Sequence, residues 1–178
     1  MKKPEKLNWA QRLKIPEVKF PKGLFTFYLS HPEASRHYIR KWELEFEGKH
    51  PKIALINPFY DMLGEQEKRV KAADQGKRYK GLPGDAWRMT QGDYIAIAYC
   101  RGIVAVVDEN SESSIGTIME MVMARALAKN PKLLICTNKK LLNHPWLYTH
   151  FHKIYDSFEA FDRDVEKQVS RVKKKWGF

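Results

Sequence analysis

Residues 92–138, GDYIAIAYCRGIVAVVDENSESSIGTIMEMVMARALAKNPKLLICTN, decide the fold. Within them Ile103-Val104-Ala105-Val106-Val107 is short, continuous, uncharged and mostly β-branched, which predicts a strand buried on both faces. A polar loop at 108–114 comes next. A helix is predicted over 115–129, with Glu120 in its first turn, and Lys132-Leu133-Leu134-Ile135-Cys136 reads as a second buried strand. Strands joined by a helix of this length form a parallel pair, because antiparallel neighbours need only a tight turn between them.

The same alternation extends to both sides. Leu24-Phe25-Thr26-Phe27-Tyr28-Leu29 is an aromatic strand, followed by a helix from Ser30 or His31 to about Phe46 that tolerates Pro32 in its first turn and ends at Gly48. Ile53-Ala54-Leu55-Ile56 is a strand stopped by Asn57-Pro58. A charged helix is expected at 64–74, a Gly/Lys-rich lid loop, GKRYKGLPGDAWR, at 76–88, and a helix at about 90–100. Lys153-Ile154-Tyr155 suits a short last strand and 157–175 a charged helix. The pattern predicts an α/β domain over residues 23–178, with a central parallel sheet covered by helices on both faces. Residues 1–22, punctuated by Pro4, Pro16 and Pro21, read as an arm. Ligands of such sheets bind beyond the carboxyl ends of the strands, so chemistry is expected at 28–32, 57–61, 108–117 and 137–146.

Composition narrows the class. The chain has 178 residues, 43% hydrophobic and 30% charged, which suits one globular domain. No apolar run approaches the roughly 18 residues of a membrane span, and the first twenty residues lack the apolar stretch of a secretory signal. Cys100 and Cys136 sit in apolar segments with no CxxC spacing, as buried thiols of a reducing cytoplasm do. Thirty-two Lys and Arg against 21 Asp and Glu give a net charge of +11. That excess suits phosphorylated substrates. The basic residues are spread out, with local density only at 77–80 and 171–175, so a nucleic-acid partner is possible but not favoured. Among six histidines none has convincing metal spacing, since His150 and His152 would ligate together only on a strand; neither a metal nor a cofactor is expected.

The residues that carry chemistry are Gly116-Thr117-Ile118-Met119-Glu120, followed by the small-residue run Met123-Ala124-Arg125-Ala126-Leu127-Ala128. Gly116 lets backbone approach a ligand, and free N–H groups at a helix start favour anions. Alone, Glu120 could serve only as a partner of the helix dipole. With it stand Tyr28-Leu29-Ser30-His31-Pro32 at the end of the first strand and Asp93 about eight residues before the strand at 103–107.

In this order and on these elements, over roughly residues 24–162, the motifs resemble the nucleoside 2-deoxyribosyltransferase-like family, including its nucleoside monophosphate N-glycosidase branch. The resemblance implies a flavodoxin-like or Rossmann-like three-layer sandwich. It also implies a nucleoside or nucleotide substrate whose N-glycosidic bond is cut or exchanged. Glu120 matches the nucleophile that forms a glycosyl ester, Asp93 the acid serving the departing base, and Tyr28 the group orienting the carboxylate. Ser30 and His31 fall in the strand-end turn that meets substrate. Ser114 stands where transferases of free nucleosides carry an Asp and the monophosphate branch a Ser. Ser113, Ser114, Gly116 and Thr117 thus form a candidate phosphate cradle, although a Ser-rich loop is also simply a loop, and one about two residues longer than in that branch leaves the register open. Phe59 or Tyr60 suits stacking on a base or plugging the core. In the family a neighbouring subunit closes the pocket, which implies a homodimer or a multiple of it. Here Asn143, His144, Trp146 and His150 are the candidates for that role, none at the family's usual Asn position. A catalytically silent nucleotide-binding or sensor module is the alternative to an enzyme.

Overall fold

A computed structural model describes the protein over residues 20–61, 65–75, 83–111, 114–129 and 131–176. Strands Phe25–Ser30 (β1), Ile53–Ile56 (β2), Gly102–Val107 (β3), Lys132–Cys136 (β4) and Lys153–Tyr155 (β5) pair in the order β2-β1-β3-β4-β5. Every pairing is parallel. Helices Arg36–Lys49 (α1), Glu65–Asp74 (α2), Pro83–Tyr99 (α3), Ile115–Ala126 (α4), Pro145–His150 (α5) and Phe158–Trp176 (α6) fill the connections, with a 3-10 turn at Glu33–Ser35 ahead of α1. This is the three-layer α/β sandwich expected from the sequence, in the doubly wound order whose topological switch lies between β1 and β3.

Side-chain alternation along the strands builds two cores. Phe25, Phe27 and Leu29 of β1 join Val104, Val106, Leu133 and Ile135 on one face. They pack against Ile39 and Phe46 of α1 and against Phe161, Val165 and Val169 of α6, which share one face through their four-residue spacing. Tyr28 points the other way, packing with Ile56 and Ile103 against Ala96, Ile97 and Cys100 around α3 and Ala124 of α4. Further along the same face, Val107 of β3 and Leu134 and Cys136 of β4 meet Leu147 and Phe151 around α5. Both cysteines are buried free thiols. At the start of β3, Gly102 permits a close approach that no side chain would allow. A Cβ there would lie 2.6 Å from the Pro131 carbonyl oxygen and 2.8 Å from the Phe27 ring.

Several boundaries differ from the sequence expectation. The first helix begins as the 3-10 turn and runs through Gly48 to Lys49, ending at His50 instead. α3 begins at Pro83, so the second half of the expected lid, including Trp87 and Arg88, is helical; Pro suits a first helical turn, where its missing N–H costs nothing. Residues 76–82 lie outside the described residues. α4 stops at Ala126 rather than 129. Ala128 adopts a left-handed φ of 51° there, its N–H bonding to Arg125 O while the Lys129 N–H bonds to Ala124 O, both at 3.0 Å. These two bonds close a helix end that glycine usually supplies.

Candidate active site

The period of β1 sends Tyr28 and Ser30 to the face covered by α3 and α4. Both sit at the carboxyl end of β1, beside the switch point, with no measurable exposure. Asp93 comes from α3 and Glu120 from α4. The Tyr28 hydroxyl lies 2.8 Å from Glu120 Oε1 and 3.2 Å from Asp93 Oδ1, and the Ser30 hydroxyl donates to Glu120 Oε2 at 2.6 Å. Glu120 is in the second turn of α4, not the first, because the helix opens at Ile115. One turn in from the end, its carboxyl reaches back to β1.

This arrangement is electrostatically expensive. Burial raises the pKa of Asp93, with the Tyr28 hydrogen bond and the Arg69 charge pulling it back. Burial likewise raises that of Glu120, and the charge of Asp93 raises it further, while Ser30, Tyr28 and Arg69 oppose the rise. Tyr28 is pushed well above 10 by burial and by the two neighbouring carboxyls, so its phenol stays protonated. One phenolic proton cannot serve two carboxylates at once. The geometry therefore suits a pair that holds one further proton between its members, with like charges too close for both to ionise freely.

Asp93 and Glu120 open into a cleft of about 630 Å³, also walled by His31, Phe59, Ser114, Gly116 and Thr117. The structure thus brings together most of the residues singled out in the sequence. Ser30 is beneath the cleft, holding Glu120. Ser114 caps α4: its hydroxyl pairs with Thr117 Oγ1 at 2.7 Å and accepts from the Thr117 N–H at 3.5 Å. Gly116 faces open space, as a residue admitting a ligand would. Tyr60 lies outside the cleft, 5.0 Å from its ring centre to the Arg40 guanidinium. Asn143 lines a separate hollow beside β5 and accepts from Tyr148 at 3.2 Å. Ser113 lies outside the described residues.

Three features escaped sequence reasoning. Arg36 and Arg69 line the cleft, Arg36 paired with Asp74 at 2.6 Å and Arg69 with Glu33 on the same wall. Asp108, at the end of β3, accepts from the hydroxyls of Ser35 and Tyr38 and from the Asn110 N–H, which clamps the start of α1 to the sheet. His31, expected in the strand-end turn, is buried and tied to Asn57 at 3.2 Å, a pairing the sequence did not suggest. Apart from the local Asn110 contact, these pairings join residues 26 to 73 positions apart and leave no local pattern to read. Among the described residues no group of three or more His, Cys, Asp or Glu is placed to hold a metal, and no helix is long and apolar enough to cross a membrane.

No family model matches the sequence, and no curated protein is similar to it at the sequence level. Solved structures are similar in fold. A 2-deoxyribosyltransferase of the psychrotolerant bacterium Bacillus psychrosaccharolyticus superposes with a TM-score of 0.57 at 17% identity, over 79% of this chain and 90% of that one. A CMP N-glycosidase of Clostridium botulinum gives a TM-score of 0.47 at 16% identity, over 79% of this chain and 97% of that one. The family resemblance read from the sequence is met here by a shared fold.

The raised carboxyls make stability depend on pH in a defined direction. Above about pH 4 the unfolded chain releases protons that the folded site retains. The site's contribution is full below that pH and is lost as pH rises through the raised values. Glu120→Gln removes one of the two titrations. Its Tm is expected to exceed the wild-type value by about 3 °C at pH 8 and to converge with it near pH 4. Thermal melts in which the wild type gains on the variant between pH 5 and pH 8 contradict this.

Proposed function

We propose that the protein cleaves or transfers the N-glycosidic bond of deoxyribonucleosides, and of their 5′-monophosphates in preference, through a covalent glycosyl-Glu120 intermediate. The observation that carries this reading is the buried Tyr28 hydroxyl seated between two half-buried carboxyls at the mouth of the sheet. If the phenolic proton follows the shorter contact, to Glu120, then Asp93 fills the longer one by donating to the phenol oxygen. That order leaves Glu120 as the anion and Asp93 as the acid.

In the first step a Glu120 oxygen attacks the anomeric carbon. The bond from that carbon to the base nitrogen breaks with its electron pair leaving on the base, and Asp93 delivers its proton there. In the second, water or another base displaces Glu120 from the sugar while the Asp93 carboxylate accepts the proton of the incoming group. Ser30 and Tyr28, donating to opposite oxygens of Glu120, fix the rotation of the attacking group.

The preference for a monophosphate is supported by Ser114 in place of an Asp and by the Arg36 and Arg69 guanidinia on the cleft wall. Both arginines already hold carboxylates, so a phosphate would exchange one anionic partner for another.

We further propose a homodimer, or a multiple of it, in which residues 138–152 of one subunit close the cleft of the other. On α4, Ile115 is 77% exposed, and Ile118, Met119 and Val122 are exposed as well; on α5 so are Trp146 and Tyr148. An apolar groove of about 380 Å³ runs between these helices, lined by Ile118, Met121, Leu141, Trp146 and Leu147. Ile115 and Gly116 also line the cleft, so a partner seated on this face borders the open side of the site. A shielded site protects a glycosyl ester from stray water.

Two experiments test these readings. Each deoxynucleoside and its monophosphate, with and without an acceptor base, is expected to reveal a substrate that loses or exchanges its base. Both Glu120→Gln and Glu120→Ala then lose turnover by orders of magnitude while remaining folded. Asp93→Asn loses about 10²–10⁴-fold with poor leaving bases and less with activated ones. Near wild-type turnover in either Glu120 variant, or no reaction with any substrate, overturns the assignment. Light scattering is expected to show a dimer or larger assembly, and a fully active monomer contradicts the proposed closure.

A further inference from the structure

α1 carries a carboxyl where its core-facing stripe calls for an apolar residue. Ile39, Glu43 and Phe46 are its buried positions, all with no measurable exposure. Glu43 Oε2 accepts from Asn57 Nδ2 at 2.6 Å, and Arg40 Nη1 lies 2.5 Å from Glu43 Oε1. Asn57, directly after β2, is also buried, and its backbone N–H donates to Asp61 Oδ2 at 2.7 Å. Both its backbone and its side chain are therefore held.

The orientation of the Asn57 amide follows from two independent contacts. The Phe59 N–H meets Asn57 Oδ1 at 3.0 Å, and a backbone N–H can only donate, so that side of the amide is oxygen. The other side, which donates, meets Glu43. The same Oδ1 lies 3.2 Å from His31 Nε2. An acceptor there calls for a proton on that nitrogen, and the Pro32 carbonyl oxygen, 3.0 Å from Nδ1, competes for the single proton of a neutral ring. His31 and Phe59 stand with ring centres 4.9 Å apart, and both line the cleft.

A buried ionic group is a poor source of stability, because desolvation offsets most of what its partners return. A leucine would continue the apolar stripe at lower cost. We infer that Glu43, acting through Asn57, is a positioning residue: it locks the amide that holds His31 and Phe59 as the aromatic wall of the cleft, with His31 donating from Nε2. The wall's flat faces suit a planar heterocycle, and in this respect the inference rests on the proposed N-glycosidic activity.

Long-range proton–nitrogen spectra of the imidazoles test the geometry in the wild-type protein. The His31 signals, identified by their loss in His31→Phe, are expected to show a protonated Nε2 at neutral pH. A deprotonated Nε2 overturns the inference. Kinetics test the role. Glu43→Leu removes one of the two contacts that orient the Asn57 amide, leaving its Nδ2 without the Glu43 acceptor, and is expected to raise KM for the nucleotide about ten-fold. Its kcat stays within about two-fold, since Tyr28, Asp93 and Glu120 are untouched. Glu43→Gln keeps an acceptor for Asn57 and restores most of the affinity. A wild-type KM in folded Glu43→Leu, a loss confined to kcat, or equal loss in both variants contradicts the positioning role. If Glu43→Leu does not fold, the wild-type spectrum decides. If the wild type turns over no nucleotide, the proposed activity fails and the same spectrum still decides the positioning.

Discussion

Strand β1 is buried along its whole length and divides its side chains between two helical layers, and nearly everything else in the molecule follows from that division. Phe25, Phe27 and Leu29 anchor the layer of α1 and α6; Tyr28 and Ser30, on the opposite parity, reach under α3 and α4. A slip of one residue in the pairing with β3 would exchange the two sets, placing phenylalanines in the cleft and hydroxyls in the core. The register that pairs Tyr28 with Ile103 and Ser30 with Ala105 is thus a condition of both stability and chemistry. The close approach at Gly102, one residue before Ile103, helps to fix it.

On that frame the site holds two carboxyls that burial disfavours as anions. Hydroxyls of Tyr28 and Ser30 and the charge of Arg69 compensate only in part. On the proposed reading the residual cost makes the pair useful: a carboxyl reluctant to ionise is an acid near neutral pH, and one held by two hydroxyl donors is an oriented anion. The fold alone specifies neither role, since sheets of this order support many activities. The assignment rests on which side chains converge at the switch point.

Much of this was legible in the sequence because the determinants are local. Buried parallel strands read as continuous apolar runs, and Tyr28, Asp93 and Glu120 each sit at a fixed offset from one of them. Helix starts were harder. Pro83 opens α3 within a segment whose glycines and lysines read as loop, and Gly48 is carried inside α1 against its propensity. The second tier of the site was not legible at all. Arg36 with Asp74, Arg69 with Glu33, and Glu43 with Asn57 and His31 are tertiary pairings, and only a charged residue within the apolar stripe of α1 hinted at the last. Nor was the bond from Ser30, expected at the substrate, to Glu120 legible.

The central claim is that Glu120 bonds to the sugar, and mass spectrometry of the trapped enzyme tests it most directly. A deoxynucleotide with fluorine at C2′ slows departure of the glycosyl ester, because the electron-withdrawing group disfavours the oxocarbenium-like transition state. After rapid acid quench and digestion, the account predicts one added glycosyl group, located on the peptide containing Glu120 and absent from Glu120→Ala. Release of base with no adduct, or an adduct on any other residue, would contradict it.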